Sequence, residues 1–248
     1  MSSRPDSESA AEMQRRYYTE SADRYDHMHA YEGAGDPSNL KYVTALFQSV
    51  GVQSVLEVGC ATGRGLRSLQ DALPDAFVCG LDPVGALLGQ AASAAHYPRI
   101  CLIQGVGESL PFADRSFDAV CEFSSLHHVS DPAPVVREML RVARKVVLIA
   151  DCNRFGQGSI LARLGKFALY KAGLWGAYWS LRTRGKKYIF TPGDGLAYSY
   201  SVYDSYDLVA RWADRIILVP ANRGSAPSWF HPLLNHDAIL LFAFKEGD

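Results

Sequence analysis

The residues best placed to do chemistry lie where short apolar runs end in acids, glycines and histidines. Residues 55–65 read Val-Leu-Glu-Val-Gly-Cys-Ala-Thr-Gly-Arg-Gly. The run carries Glu57 and closes in Gly59, Gly63 and Gly65, at spacing G-x-x-x-G-x-G. Glycine at such a turn lets bare backbone lie against a ligand. Asp82 ends a second apolar run nineteen residues after Gly63, at the reach of a ribose,. As an acceptor-only group it suits a vicinal diol. A nicotinamide dinucleotide prefers G-x-G-x-x-G, because its pyrophosphate approaches the second glycine and rests on a helix start. Here that second position is Ala61, and Glu57 would repel a pyrophosphate. A carboxylate at 57 makes better sense near a cationic cofactor end. Further on, His127 and His128 follow another apolar run. Imidazole, with an ordinary pKa of about 6.5, is a suitable base at neutral pH.

The elements that must hold these residues alternate. Short apolar runs at 54–58, 77–81, 100–104, 117–123 and 146–151 read as strands,. Helices are expected from about Arg64 to Leu73, from Pro83, and over 134–143,. This alternation predicts a parallel sheet wrapped by helices on both faces. Ligands in such sheets bind beyond the carboxyl ends of the strands, where the glycine turn, Asp82 and the loops after the third and fourth strands converge. Upstream, Tyr17, Tyr18, Tyr25 and Tyr31 sit among charges at loosely helical spacing, and a helix opens at Pro37 and stops at Gly51,. After Asp151 the pattern breaks. No acid occurs from Cys152 to Gly193, while bases such as Lys171, Arg182, Arg184, Lys186 and Lys187 alternate with aromatics. One or two amphipathic helices suit this stretch. A tyrosine-rich loop (Tyr198, Tyr200, Tyr203, Tyr206) follows, and strands are expected at 215–219 and 238–244.

Composition bounds the classes. With 248 residues, 48% of them apolar and 21% charged, the chain can bury a normal core,. A net charge of −1 argues against a globally basic nucleic-acid binder, and no nucleic-acid partner is expected,. No apolar run reaches eighteen residues, so no transmembrane segment is expected. The polar start is not a signal peptide, and a cytoplasmic location is the default. The five cysteines are odd in number and form no C-x-x-C pair,. They read as small buried hydrophobes in a reducing compartment, and no metal is expected.

Five pieces in order carry a resemblance: V-L-E-V-G-C-A-T-G-R-G at 55–65, G-L-D-P at 80–83, L-P-F-A-D-R-S-F-D-A-V at 110–120, S-S-L-H-H-V at 124–129 and R-V-A-R-K-V-V-L-I-A-D at 141–151. The chain resembles the class I S-adenosylmethionine-dependent methyltransferases, in the subgroup acting on small molecules. The resemblance covers roughly residues 50–152. It implies an α/β, Rossmann-like, doubly wound, mostly parallel seven-stranded sheet, with a helical, aromatic cap inserted between the fifth and sixth strands. One domain is expected over 1–248: a disordered tail (1–10), a helical lid (11–50), a cofactor-binding core (51–151), an acceptor cap (152–210) and C-terminal strands (211–248).

The resemblance also implies site roles. Glu57 would accept, through water, from the methionine ammonium, with Gly59, Ala61 and Gly63 forming the turn around that moiety. Asp82 and Pro83 would meet the ribose, Gly107 would offer its N–H to adenine, and Phe123 and Tyr17 would complete the cofactor site. One departure is Val106, where the family often has an acid; Glu108 is the candidate to replace it. His128, rather than His127, is favoured as base. Tyr18, Asp151, Asn153, Trp175 and Tyr198 are candidate acceptor residues. The expected activity is O- or N-methylation of a small metabolite, anionic or aromatic, by a monomer or homodimer. The rivals are a lipid-linked or polyprenylated acceptor with peripheral membrane contact, and a non-catalytic binder of the same fold. Simpler readings stand beside these: Asp82 as a helix N-cap before Pro83, the glycines as turn geometry alone, the histidines as loop packing, and the cap as a helical layer with aromatics inward and bases in water.

Overall fold

The central apolar runs form strands that are buried on both faces, and their order places the glycine turn at the centre of a sheet edge. The computed structural model describes residues 8–29, 37–93, 100–221 and 234–246; Tyr31 and residues 1–7 of the expected tail lie outside these. In chain order the strands are β1 (Ser54–Val58), β2 (Phe77–Asp82), β3 (Ile100–Gln104), β4 (Phe117–Phe123), β5 (Ala143–Cys152), β6 (Tyr188–Thr191), β7 (Gly195–Tyr198), β8 (Arg215–Pro220) and β9 (Ala238–Phe244). Seven build one sheet in the order β3-β2-β1-β4-β5-β9-β8, and β6 and β7 pair as a separate hairpin. The first five of the chain run parallel; β9 is antiparallel to both β5 and β8. The order reverses between β1 and β4, which opens a crevice at their carboxyl ends,.

Helices cover both faces, because successive residues of a strand point to opposite sides. The described helices are α1 (Ala10–Ser21), α2 (Tyr25–Met28), α3 (Pro37–Ser49), α4 (Arg64–Ala72), α5 (Gly85–Ser93), α6 (Pro132–Val142), α7 (Ile160–Lys171), α8 (Trp175–Arg182) and α9 (Tyr206–Ala210). Leu56 and Val58 pack with Val136 and Met139 of α6 on one face. Val55 packs with Phe47 of α3 and Leu69 of α4 on the other. Helix α6 begins two residues earlier than its spacing predicts, because Asp131 caps it through Ala133 N and Pro132 occupies its first turn,.

The stretch after β5 differs from its sequence reading in one respect. Its two helices are present, but β6 and β7 interrupt the expected loop, so Tyr198 is a strand residue. Part of the aromatic, basic composition has a packing cause. The Arg154 guanidinium is buried, pairs with Asp204, and lies 5.6–6.0 Å from the ring centres of Phe155, Tyr170 and Trp175. Burial lowers its pKa to about 10.

Asn153 holds this insert to the sheet. It is fully buried; its Nδ2 donates to His236 O (2.8 Å), and its Oδ1 accepts from Phe155 N (3.1 Å) and Ser201 Oγ (3.2 Å). Replacing it by alanine strands buried polar groups, each worth about 1–3 kcal/mol when unsatisfied. Asn153→Ala is expected to lower unfolding stability by about 3 kcal/mol in urea titrations, with affinity for S-adenosylhomocysteine retained. Equal stability of the two proteins would remove the pinning role.

Candidate active site

The turn after β1 is built by hydrogen bonds that converge on the end of β2. Gly59 N and Cys60 N both donate to Leu81 O, at 2.7 and 3.1 Å. Asp82 accepts from Ala61 N (2.9 Å) through one oxygen and from Val84 N (2.8 Å) through the other. One carboxylate therefore fixes the glycine turn and the entry to α5 together. Backbone φ is +78° at Gly59, +46° at Ala61 and +74° at Gly63. A side chain at Gly59 would also meet the Ser125 side chain at 2.7 Å.

Glu57 lies beneath this turn. It is buried, and its Oε2 has no hydrogen-bond partner among the described residues. Burial first, and the negative Asp82 second, push its pKa up to about 8. Gly65 must lack a side chain because a Cβ there would stand 2.6 Å from both Glu57 oxygens. A buried carboxylate with an unmet oxygen, roofed by bare backbone, fits a ligand whose near end is an ammonium.

Two cavities meet at this turn and share Tyr18, Tyr25, Gly59, Ala61, Phe123, Ser124 and His128. The larger, about 450 Å³, runs past Asp82, Pro83, Val106, Gly107 and Glu108, with Tyr198 in its wall. The smaller, about 170 Å³, contains Glu57, His29, His127 and Asp194. Asp194 sits on the β6–β7 turn with Nε2 of His127 at 3.3 Å, Nε2 of His128 at 3.3 Å and Nε2 of His29 at 3.5 Å. Tyr18 Oη lies 3.0 Å from His128 Nε2. These partners hold the Asp194 carboxyl far below the usual carboxylate range, against the opposing effect of burial. His127 lies between Asp151 (2.8 Å) and Asp194, and the two carboxylates raise its pKa although burial opposes them.

The structure gathers Glu57, Gly59, Ala61, Asp82, Pro83, Gly107, Glu108, Phe123, His127, His128, Tyr18 and Tyr198 around the two cavities. Tyr17 stands apart: its hydroxyl donates to Pro192 O at 2.5 Å and its ring packs on Phe190. Gly63 shapes the turn as the N-cap of α4 without lining either cavity. Asp151 lies behind His127, fully buried. Asn153 bonds the insert to the segment before β9, and Trp175 is held inside the insert by Ser199 Oγ. Val106 and Glu108 both line the larger cavity, Glu108 as an exposed rim residue. Sequence reasoning missed Asp194, His29 and Gln14. Asp194 did carry a signal, since it is the first acid after the acid-free stretch 152–193.

This fold and cofactor cleft define a class. Residues 56–149 match the family model described as "Methyltransferase domain". That stretch is thus similar to a methyltransferase domain, and the fold is shared with solved S-adenosylmethionine-dependent methyltransferases, whose cofactor is S-adenosylmethionine. Among solved structures, magnesium protoporphyrin IX methyltransferase from Synechocystis PCC 6803 with bound SAH superposes with a TM-score of 0.59 over 96% of this chain and 100% of that one, at 17% identity. Among relatives, the demethylmenaquinone methyltransferase of Roseiflexus sp. (strain RS-1) is 31% identical over 147 residues, which is 59% of this chain and 62% of the relative. The phthiotriol/phenolphthiotriol dimycocerosates methyltransferase of Mycobacterium tuberculosis (strain ATCC 25177 / H37Ra) is 33% identical over 106 residues, 43% of this chain and 39% of the relative. The match thus spans less than two thirds of the length of these relatives.

The Glu57 environment has a consequence for stability. Its folded pKa of about 8 lies above the unreacted value of 4.5, so folding favours the neutral acid,. That contribution is fully present below about 4.5 and is lost as pH rises through about 8,. The melting temperature of the cofactor-free protein should therefore fall less steeply between these two pH values in Glu57→Gln than in the parent. Parallel curves in differential scanning fluorimetry would mean that Glu57 is not held neutral.

Proposed function

We propose that the chain transfers a methyl group from S-adenosylmethionine to an oxygen or nitrogen of a small acceptor seated on the His127–Asp194 side of the smaller cavity, whose Glu57 side takes the cofactor's ammonium. The observation that carries this reading is the meeting of the two cavities at Gly59, Ala61 and Phe123, with His128 and Tyr18 lining both. When bound, the cofactor supplies a methyl on a sulfonium sulfur, whose C–S electron pair stays with sulfur as the acceptor's lone pair forms the new bond. Glu57 faces its ammonium end, Asp82 its ribose, and the Gly107–Glu108 loop its base. The chain's work is then alignment, exclusion of water and removal of one proton.

His128 is arranged for the proton. Its Nδ1–H donates to Leu196 O at 2.7 Å, which leaves the Nε2 lone pair beside Tyr18 Oη and Asp194. An acceptor hydroxyl or ammonium in that place gives its proton to Nε2, and Asp194 stabilises the resulting imidazolium. General bases of this kind contribute about 10²–10⁴-fold. His128→Ala should lower kcat by about that factor in a methyl-transfer assay while S-adenosylhomocysteine binds as before. Full turnover in the variant would end the base assignment.

A second reading concerns where the acceptor comes from. Leu161 on α7 and Leu181 on α8 are 80% and 81% exposed, within the stretch that has bases and no acids. Exposed leucines with cationic neighbours suit an anionic membrane surface, and two relatives are named for menaquinone and dimycocerosate substrates. Among the described residues no helix is long and apolar enough to cross a membrane. Co-sedimentation with phosphatidylglycerol vesicles, lost when Arg182, Arg184, Lys186 and Lys187 are changed to alanine, would favour this source; no co-sedimentation would remove it.

A further inference from the structure

One base needs one imidazole, yet the smaller cavity sets three around a single carboxylate. On each ring the nitrogen turned away from Asp194 already has an acceptor. His29 Nδ1 lies 2.9 Å from Tyr25 O, His127 Nδ1 2.8 Å from Asp151 Oδ1, and His128 Nδ1 2.7 Å from Leu196 O. An acceptor on Nδ1 holds a proton there and turns Nε2 towards Asp194. Three Nε2 atoms, on rings whose other nitrogens are already held, therefore converge on one carboxylate. His29 Nε2 is buried and makes no hydrogen bond among the described residues.

The distances suggest what fits there. Nε2 of His127 and Nε2 of His128 each lie 3.3 Å from an Asp194 oxygen, and the donor atoms of this triple lie within 4.8 Å of one another. Donors at about 2.0–2.1 Å from a tetrahedral ion stand roughly 3.3–3.4 Å apart. Two imidazoles and a carboxylate suit zinc and its close neighbours. Asp151 behind His127, and the backbone carbonyl behind His128, are the outer partners that orient metal-ligating imidazoles,.

We propose that His127, His128 and Asp194 form a binding site for one divalent transition-metal ion of the zinc type, with the fourth position turned to the acceptor cavity. His29, 3.5 Å from Asp194 Oδ1, is the donor that an acceptor oxygen displaces from that position. The expectation of no metal rested on cysteine spacing. This site uses no cysteine and is assembled from three distant segments of the chain. The proposal deepens the function above and rests on it only for where the acceptor sits. An acceptor hydroxyl on the ion loses its proton more readily than a free one. With the ion bound, His128 Nε2 is a ligand and takes no proton; the acceptor's proton is lost to solvent water, and the base role of His128 applies to the metal-free protein.

The test is metal binding, read apart from catalysis. Chelator-stripped protein is titrated with Co²⁺, followed by visible absorption, and with Zn²⁺ in competition; S-adenosylhomocysteine is titrated into the same samples. One equivalent of cobalt with tetrahedral-type absorption is expected, displaced by zinc. It should be lost in Asp194→Asn and in His127→Ala, weakened in His29→Ala and unchanged in Cys101→Ser. Absence of saturable binding to the parent protein overturns the proposal, as does one-equivalent binding that survives both Asp194→Asn and His127→Ala. Retained S-adenosylhomocysteine binding shows that a variant is folded. Failure of the parent to bind S-adenosylhomocysteine would instead count against the methyltransferase reading.

Discussion

A carboxylate buried beneath bare backbone, with one oxygen unmet, is the constraint around which the rest of the cleft is arranged. Glu57 sits within β1, the strand between β2 and β4, and among the described residues no side chain satisfies its Oε2. Leaving such a group costs stability, and burial answers by holding it partly neutral,. The neighbouring residues preserve that situation. Gly65 yields the volume the carboxylate occupies, and Asp82, the nearest acid, adds like charge while spending its hydrogen bonds on the turn. An ammonium ligand, as proposed above, would relieve the charge of both acids. Strain stored at the site in this way is a common signature of function.

The proton-handling side is held by long-range contacts. Gln14 of α1 accepts from Leu196 N at 2.6 Å and donates to Asp194 O at 3.2 Å. Tyr17 and Tyr18 of the same helix reach Pro192 and Asp194. The N-terminal helix is therefore clamped to the β6–β7 hairpin beside the cavities. Gly195, at φ +69°, allows the close approach: a Cβ there would stand 2.5 Å from Gln14 Oε1.

The core of the fold was legible because its signals are local. Apolar runs of strand length, glycines after β1 and Asp82 after β2 each report on their own neighbourhood, and β1, β3, β4 and β9 fall at the bounds that spacing predicts. The cofactor side of the cleft came with them, since the carboxyl edge of a parallel sheet collects its loops. What was not legible depends on partners far apart in sequence. Asp194 gains its meaning only when α1, the loop after β4 and the hairpin meet, some 65 to 180 residues apart. The β6–β7 hairpin hid in a tyrosine-rich stretch whose four-residue strands give too few alternations to read. Asn153 and Trp175 looked like acceptor residues by position, yet Asn153 Nδ2 donates to His236 O outside the insert and Trp175 Nε1 to Ser199 Oγ within it.

The central claim is that the Glu57–Asp82 cleft is built for S-adenosylmethionine. The most direct measurement is isothermal titration of the cofactor-free protein with S-adenosylmethionine, S-adenosylhomocysteine and NAD in parallel. One saturable site for the two sulfur compounds, and none for NAD, is the expected result. Heat from NAD with silence from both sulfur compounds would contradict the account at its base.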